Sequence, residues 1–250
     1  MRFDFLAGVG EYILFLSRVF GCLPKFFKRR QEFVLQMKRV GFDSLLLITL
    51  TSAFTGLVTA LQAVYQARSF SRANIVGQLL GKSTMIELAP VLTALVLTGR
   101  VGAAIAAEIG SMRVSEQIDA LQSMSIKPEE FLYLPRIMAG LVAFPLIVIF
   151  ADLICIISAW VFFSVRYGVH YHTFFNNMRA AFESFDLISG IIKAIVFGFI
   201  ITSMGCFFGN RTSGGAEGVG SSTTQTVVYS SVLILIMDFF VAWVLLGHMH

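Results

Sequence analysis

From Ser44 to Ala67 the chain runs for 24 residues without one charged side chain. At about 1.5 Å of rise per residue, a helix of that length crosses the roughly 30 Å hydrocarbon core of a bilayer. Four more apolar segments follow, at about 79–107, 137–165, 187–209 and 227–246. Their charges are few: Lys82, Glu87 and Arg100 in the second, Asp152 in the third, Lys193 in the fourth and Asp238 in the fifth. Only 14% of the 250 residues are charged, against roughly 25% in soluble domains. A soluble core in so short a chain cannot hide this much apolar surface, whereas a bilayer can. The expected fold is an all-α integral membrane protein with five transmembrane helices. Pro145 is a candidate kink in the third.

Residues 1–43 form a separate region ahead of the five-span body at 44–250. Phe5, Val9, Tyr12, Leu16, Phe20 and Leu23 recur at helical spacing, which predicts an N-terminal helix lying in the membrane interface. Glu11 and Arg18 count against a span or a secretory signal there. A basic stretch follows, from Lys25 to Arg39. Eight Lys and Arg precede the first span, and the loops at 108–136 and 210–226 add three and one. The opposite loops, 68–84 and 166–186, hold three and two. Twelve against five predicts a cytoplasmic N-terminus and, with five spans, a C-terminus on the other side. The net charge of +4 is then loop bias rather than a sign of nucleic acid.

Four features can carry function. In the first span, Ser52, Thr55, Thr59, Gln62 and Gln66 make a polar stripe. It reads either as packing glue between helices or as the lining of a cavity for a partly polar substrate. In GRVGAAIAAEIG, Gly99, Ala103 and Ala107 share one face and Gly102, Ala106 and Gly110 the next, which predicts a tightly packed central helix. On the cytoplasmic side, residues 108–124 read as one amphipathic helix with Val114, Ile118, Leu121 and Met124 on its apolar stripe, limited by Pro128. It is either a solvated loop helix or a partner-binding one. Charges deep inside spans are costly, so Asp152 and Asp238 should face protein, whereas Glu87 lies at the outer end of its span, before Pro90, and Arg100 can snorkel.

Other chemistry is not signalled. Cys22, Cys155 and Cys206 form no CxxC pair and read as small buried hydrophobes. The pairs His170/His172 and His248/His250 lack the carboxylates or thiols that would complete a metal site. GNRTSGGAEGVGSSTTQT reads as a loop and lacks the lysine of a nucleotide-binding P-loop. There is no HExxH or GxSxG. The chain is therefore not expected to be an enzyme. Any ATP-driven transport needs a partner ATPase.

The stretch IELAPVLTALVLTGRVGAAIAAEIGSMRVSEQIDALQSMSIKPEEFLYLPRIMAG resembles the MlaE-type permeases, the membrane subunits of MCE-associated ABC lipid transporters. The matching elements are Glu87–Val91, Gly99–Gly102, Ala107–Ile118 and Thr223–Phe240. The family often has a basic residue before the glutamate, where this chain has Ile86. The resemblance implies a homodimer in the bacterial inner membrane and two cytoplasmic ATPase subunits that bind ATP and Mg. It also implies a periplasmic MCE-protein ring and phospholipid as substrate. The cavity lining would then comprise Ser52, Thr55, Thr59, Gln62, Phe70, Glu87 and Asp238. Coupling to the ATPase would fall to Glu108, Arg113, Glu116, Gln117 and Asp119. Two other readings compete: an ion- or proton-coupled carrier using Asp152, Lys193 and Asp238, and a scaffold that only anchors partners.

Overall fold

A computed structural model describes residues 2–67 and 81–247, and among them there is no strand. Phe70, His248 and His250 lie outside the described residues, as do the side chains of Phe5 and Gln66. Two helices precede the spans, α1 (Arg2–Phe20) and α2 (Arg30–Val40). The first span is α3 (Leu45–Ala67). The second occupies Gly81–Val114 and contains α4 (Ala89–Leu97) and α5 (Ala103–Val114). After a short α6 (Gln117–Ser123) come the third span, α7 (Leu134–Tyr167), and α8 (Tyr171–Ala181). The fourth and fifth spans are α9 (Ser184–Asn210) and α10 (Gly215–Gly247). Among the described residues, five helices are thus long and apolar enough to cross a membrane. Pro145 sits inside α7 without ending it.

The fourth span is the hub. Of its most apolar stretch 67% is buried, against 11% for the fifth. It packs against the second, third and fifth spans. The first span packs on the third through Ile48, Ser52, Gly56 and Ala60, all buried and spaced four apart. A Cβ at Gly56 would lie 2.2 Å from the Cys155 carbonyl oxygen, so only glycine permits this approach. In the second span the packed face is Gly102, Ala106 and Gly110. Gly102 meets Ile201 and Thr226, and Gly110 meets Thr212, whereas Gly99 faces open space.

Four expectations shift. The buried face of α1 is Tyr12, Phe15, Leu16 and Val19, while Val9, Phe20 and Leu23 are exposed. Aromatic contacts turn it: Tyr12 meets Phe207 edge-on and Phe15 packs on Tyr133 and Phe207. Tyr12 also shares a 2.7 Å hydrogen bond with the Ser203 hydroxyl. Burial pushes the Tyr12 phenol up to about 12, with the Ser203 bond opposing in part. Second, most of the Gly/Ser-rich segment is helix, since α10 begins at Gly215. Thr223, Thr224 and Thr226 donate their hydroxyls to carbonyls of the preceding turn, at Gly220 and Ser222. The turn itself is left to Gly214 and Gly215, both at positive φ. Third, the loop after the third span holds α8, whose Phe174 and Phe175 pack with Phe163 and Trp160.

The fourth shift concerns residues 108–124, which are two helices rather than one. The chain turns at Ser115 and Glu116, and Glu116 takes the left-handed conformation with φ of 58°. Apolar periodicity carries no information about one residue's φ. The turn is spanned by Arg113, which donates to the Asp119 carboxylate at 2.6 Å. Ile118 is fully buried just beyond it, whereas Val114 and Met124 are exposed.

Candidate functional site

The second span enters the protein through a π-helical turn, Thr84–Leu88. Pro90 has no N–H to give the carbonyl one turn back, so regular α bonding cannot run through this point. The Ala89 N–H instead reaches back five residues to the Thr84 carbonyl. The widened turn bulges towards the fourth span, where Gly190 receives it. A Cβ on Gly190 would lie 2.5 Å from the Met85 carbonyl oxygen. One helical turn further on stands Lys193.

Lys193 is fully buried, and its ammonium lies between two carboxylates. Glu87 Oε2 is 2.6 Å away and Asp238 Oδ1 is 2.7 Å away. One cation therefore ties together the second, fourth and fifth spans. The contacts have ion-pair distances but not the direction of hydrogen bonds. Two carboxylates on one ammonium leave the cluster at net −1 if all three are ionised. The Glu87 side chain is 42% exposed and Asp238 22%, so the cluster opens to one side of the protein. Burying a lysine is tolerable only because it is paired; removing the lysine leaves the two carboxylates facing each other, and removing both carboxylates strands the ammonium in low dielectric.

The structure thus joins Glu87 and Asp238 through a residue outside the expected cavity lining. A lysine near the start of the otherwise uncharged segment 187–209 was the available signal. Gly190 was not legible, because a glycine in an apolar helix carries no mark of its neighbour. Asp152 is buried but forms no ion pair among the described residues, so it does not join the cluster.

The polar stripe behaves differently along its length. Ser52 is buried against the third span, Thr55 and Thr59 are half-buried, and Gln62 is exposed. Thr55 donates to the Thr51 carbonyl and Thr59 to those of Thr55 and Gly56. Their hydroxyls are satisfied within their own helix, so the cost of unpaired polar groups does not force them inward. The fifth span exposes Val228, Val232, Leu235, Phe239 and Trp243, a long apolar surface beside the charge cluster.

A second cluster lies towards the other end of the second span. Glu108 accepts from Arg39 at 2.8 Å and pairs with Arg136 at 3.0 Å. Arg136 is 4% exposed and also donates to the Leu132 carbonyl. Here one anion holds two cations, joining α2 to the second and third spans. Of the remaining expected coupling residues, Glu116, Gln117 and Asp119 are exposed at the α5–α6 turn, and Arg113 is half-buried beside them.

Five apolar spans packed around paired internal charges define a polytopic integral membrane protein. Residues 33–244 match the family model of the MlaE permeases. A probable ABC transporter permease of Rickettsia prowazekii is 39% identical over 82% of this chain and 80% of its own length. The chloroplast protein trigalactosyldiacylglycerol 1 of Arabidopsis thaliana is 38% identical over 82% of this chain and 58% of its own. The intermembrane phospholipid transport system permease protein MlaE of Haemophilus influenzae is 32% identical over 99% of both. This chain belongs to the MlaE permease family and is a multi-pass membrane permease.

Proposed function

We propose that this chain is the permease subunit of an ABC transporter that moves phospholipid between the inner membrane and a periplasmic MCE-protein ring. The observation that carries the reading is the Glu87–Lys193–Asp238 cluster, a charged point inside the spans flanked by the exposed apolar face of the fifth. A phospholipid has the same division, a charged headgroup on long apolar chains. The near full-length likeness to the Haemophilus phospholipid permease supports it.

In this reading two copies face each other across their first and fifth spans. Thr55, Thr59 and Gln62 line the path, with Ser52 behind them against the third span, and the headgroup sits near Glu87 and Asp238. The scarcity of burial along the fifth span agrees with a second copy covering it. Two cytoplasmic ATPase subunits, which bind ATP and Mg, dock at Glu108, Arg113, Glu116, Gln117 and Asp119. The exposed turn at Glu116 gives such a partner a rigid corner to engage. The N-terminus is cytoplasmic and the C-terminus periplasmic.

The test is photo-crosslinking in the assembled complex, with a benzophenone side chain replacing Thr59 or Val232. Labelled phospholipid should be captured at both positions. Capture of protein alone in every nucleotide state would place the lipid path elsewhere.

A further inference from the structure

Arg100 stands in a second π-helical turn of the second span, Thr98–Gly102, with an apolar run on its outer side. Its guanidinium donates to the Ser44 hydroxyl. The Ser44 hydroxyl in turn donates to the Val40 carbonyl at 2.6 Å, so Ser44 is neutral and already used. Among the described residues Arg100 has no carboxylate at ion-pair distance. An arginine cannot shed its proton, so at the margin of a bilayer it requires an anion or water.

Arg100 lines a pocket of about 300 Å³ between α2, the start of the first span, and the second span. Gln36, Arg39, Asp43 and Glu108 contribute the other polar groups. Glu108 is shared by Arg39, on the pocket wall, and by Arg136, buried behind the wall and outside the lining. Asp43 is exposed and makes no ion pair among the described residues. The lining alone balances, Arg39 and Arg100 against Asp43 and Glu108, but Glu108 is divided between two arginines, so the pocket and the ion pair behind it together hold three cations and two anions.

The surroundings select the anion. Phe42, Leu46 and Leu50 are 69%, 75% and 53% exposed and succeed one another along one face of the chain. Leu46 lies one turn above Asp43 on the same side, so this apolar ladder rises from the pocket rim into the hydrocarbon layer. Ala104, also on the rim, is exposed and leaves room beside Arg100. Bilayer acyl chains cover this ladder in any case, so a phospholipid lying on it brings its headgroup to Arg100 as part of one molecule, which a soluble anion does not.

We infer that this pocket is a binding site for the phosphate headgroup of a phospholipid in the leaflet nearest α2, with its acyl chains on Phe42, Leu46 and Leu50. The lipid supplies the counter-charge to Arg100 and fastens α2 to the second span. The site lies apart from the Glu87–Lys193–Asp238 cluster, and it holds whether or not that cluster serves transport.

The full-length protein, purified in mild detergent, is titrated with phosphatidylglycerol and bound lipid is counted by native mass spectrometry. Arg100→Gln should weaken the tightest lipid by about tenfold, and Arg100→Lys should retain most of it. Asp43→Asn, which removes an opposing charge, should tighten binding. A benzophenone replacing Ala104 should capture headgroup-labelled phosphatidylglycerol. Equal affinity in Arg100→Gln and the parent overturns the site. Displacement by millimolar inorganic phosphate would make it a soluble-anion site and overturn the lipid assignment. Capture at position 104 of a second copy alone would do the same. If Arg100→Gln does not fold, the Asp43→Asn titration and the capture at 104 decide the matter.

Discussion

The two charge clusters of the second span are inversions of each other. At one end Lys193 holds Glu87 and Asp238, and at the other Glu108 holds Arg39 and Arg136. Each joins three helical segments, yet they differ in which charge is buried. The cation at the centre of the first is fully buried while its anions reach the surface. In the second, the central Glu108 is a third exposed and one flanking cation, Arg136, is buried. A buried hub must keep at least one partner, because loss of both strands it in low dielectric. A partly exposed hub can take water in place of a lost partner. The first cluster is therefore built to respond as a unit, and the second to hold elements together with some tolerance.

The largest effect is expected at Lys193. Lys193→Met removes the hub and leaves Glu87 and Asp238 facing each other, at a cost of about 3–5 kcal/mol. Thermal unfolding in detergent measures it. The triple variant Lys193→Met, Glu87→Gln, Asp238→Asn should recover most of that stability while transport stays lost. If the triple variant transported lipid normally, the cluster would be a structural clasp only.

Gly190 comes next. Gly190→Ala places a methyl group against the Met85 carbonyl and should cost about 1–3 kcal/mol by overpacking. It should also shift Glu87 away from Lys193, which the distance between spin labels replacing Ile86 and Ile192 registers. An unchanged distance would mean that the π turn is not set by this contact.

The second cluster should give the smallest changes. Glu108→Gln should cost about 2 kcal/mol, since Arg136 remains buried without its carboxylate. Arg39→Gln, at a half-exposed site, should cost under about 1 kcal/mol. Equilibrium unfolding of both variants checks the order. An Arg39 effect as large as that of Lys193 would erase the contrast between the clusters.

The spans were legible because each is a local matter of length and apolar content. Ser44–Ala67 has no charge to place anywhere else, and the bilayer admits only helices for such a run. The special character of Glu87, Lys193 and Asp238 was equally legible, because an ionised group among apolar residues declares a need for partners. Their pairing was not. Glu87 and Lys193 are more than a hundred positions apart, and their meeting depends on a proline-driven π turn settling on a glycine of another helix. Periodicity likewise marked 108–124 as helical but could not see the left-handed Glu116 that divides it, since one φ angle leaves no trace in the spacing of apolar residues. The threonines of the first span read either as packing glue or as a cavity lining, and their spacing could not show that their hydroxyls bond within their own helix. The sequence by itself determined an all-helical membrane protein with five spans and a family, through local hydropathy and contiguous motifs. Only the tertiary structure decided which charges neutralise one another and which, like Arg100, are left over, because charge pairing acts over a few ångströms of space and takes no account of distance along the chain.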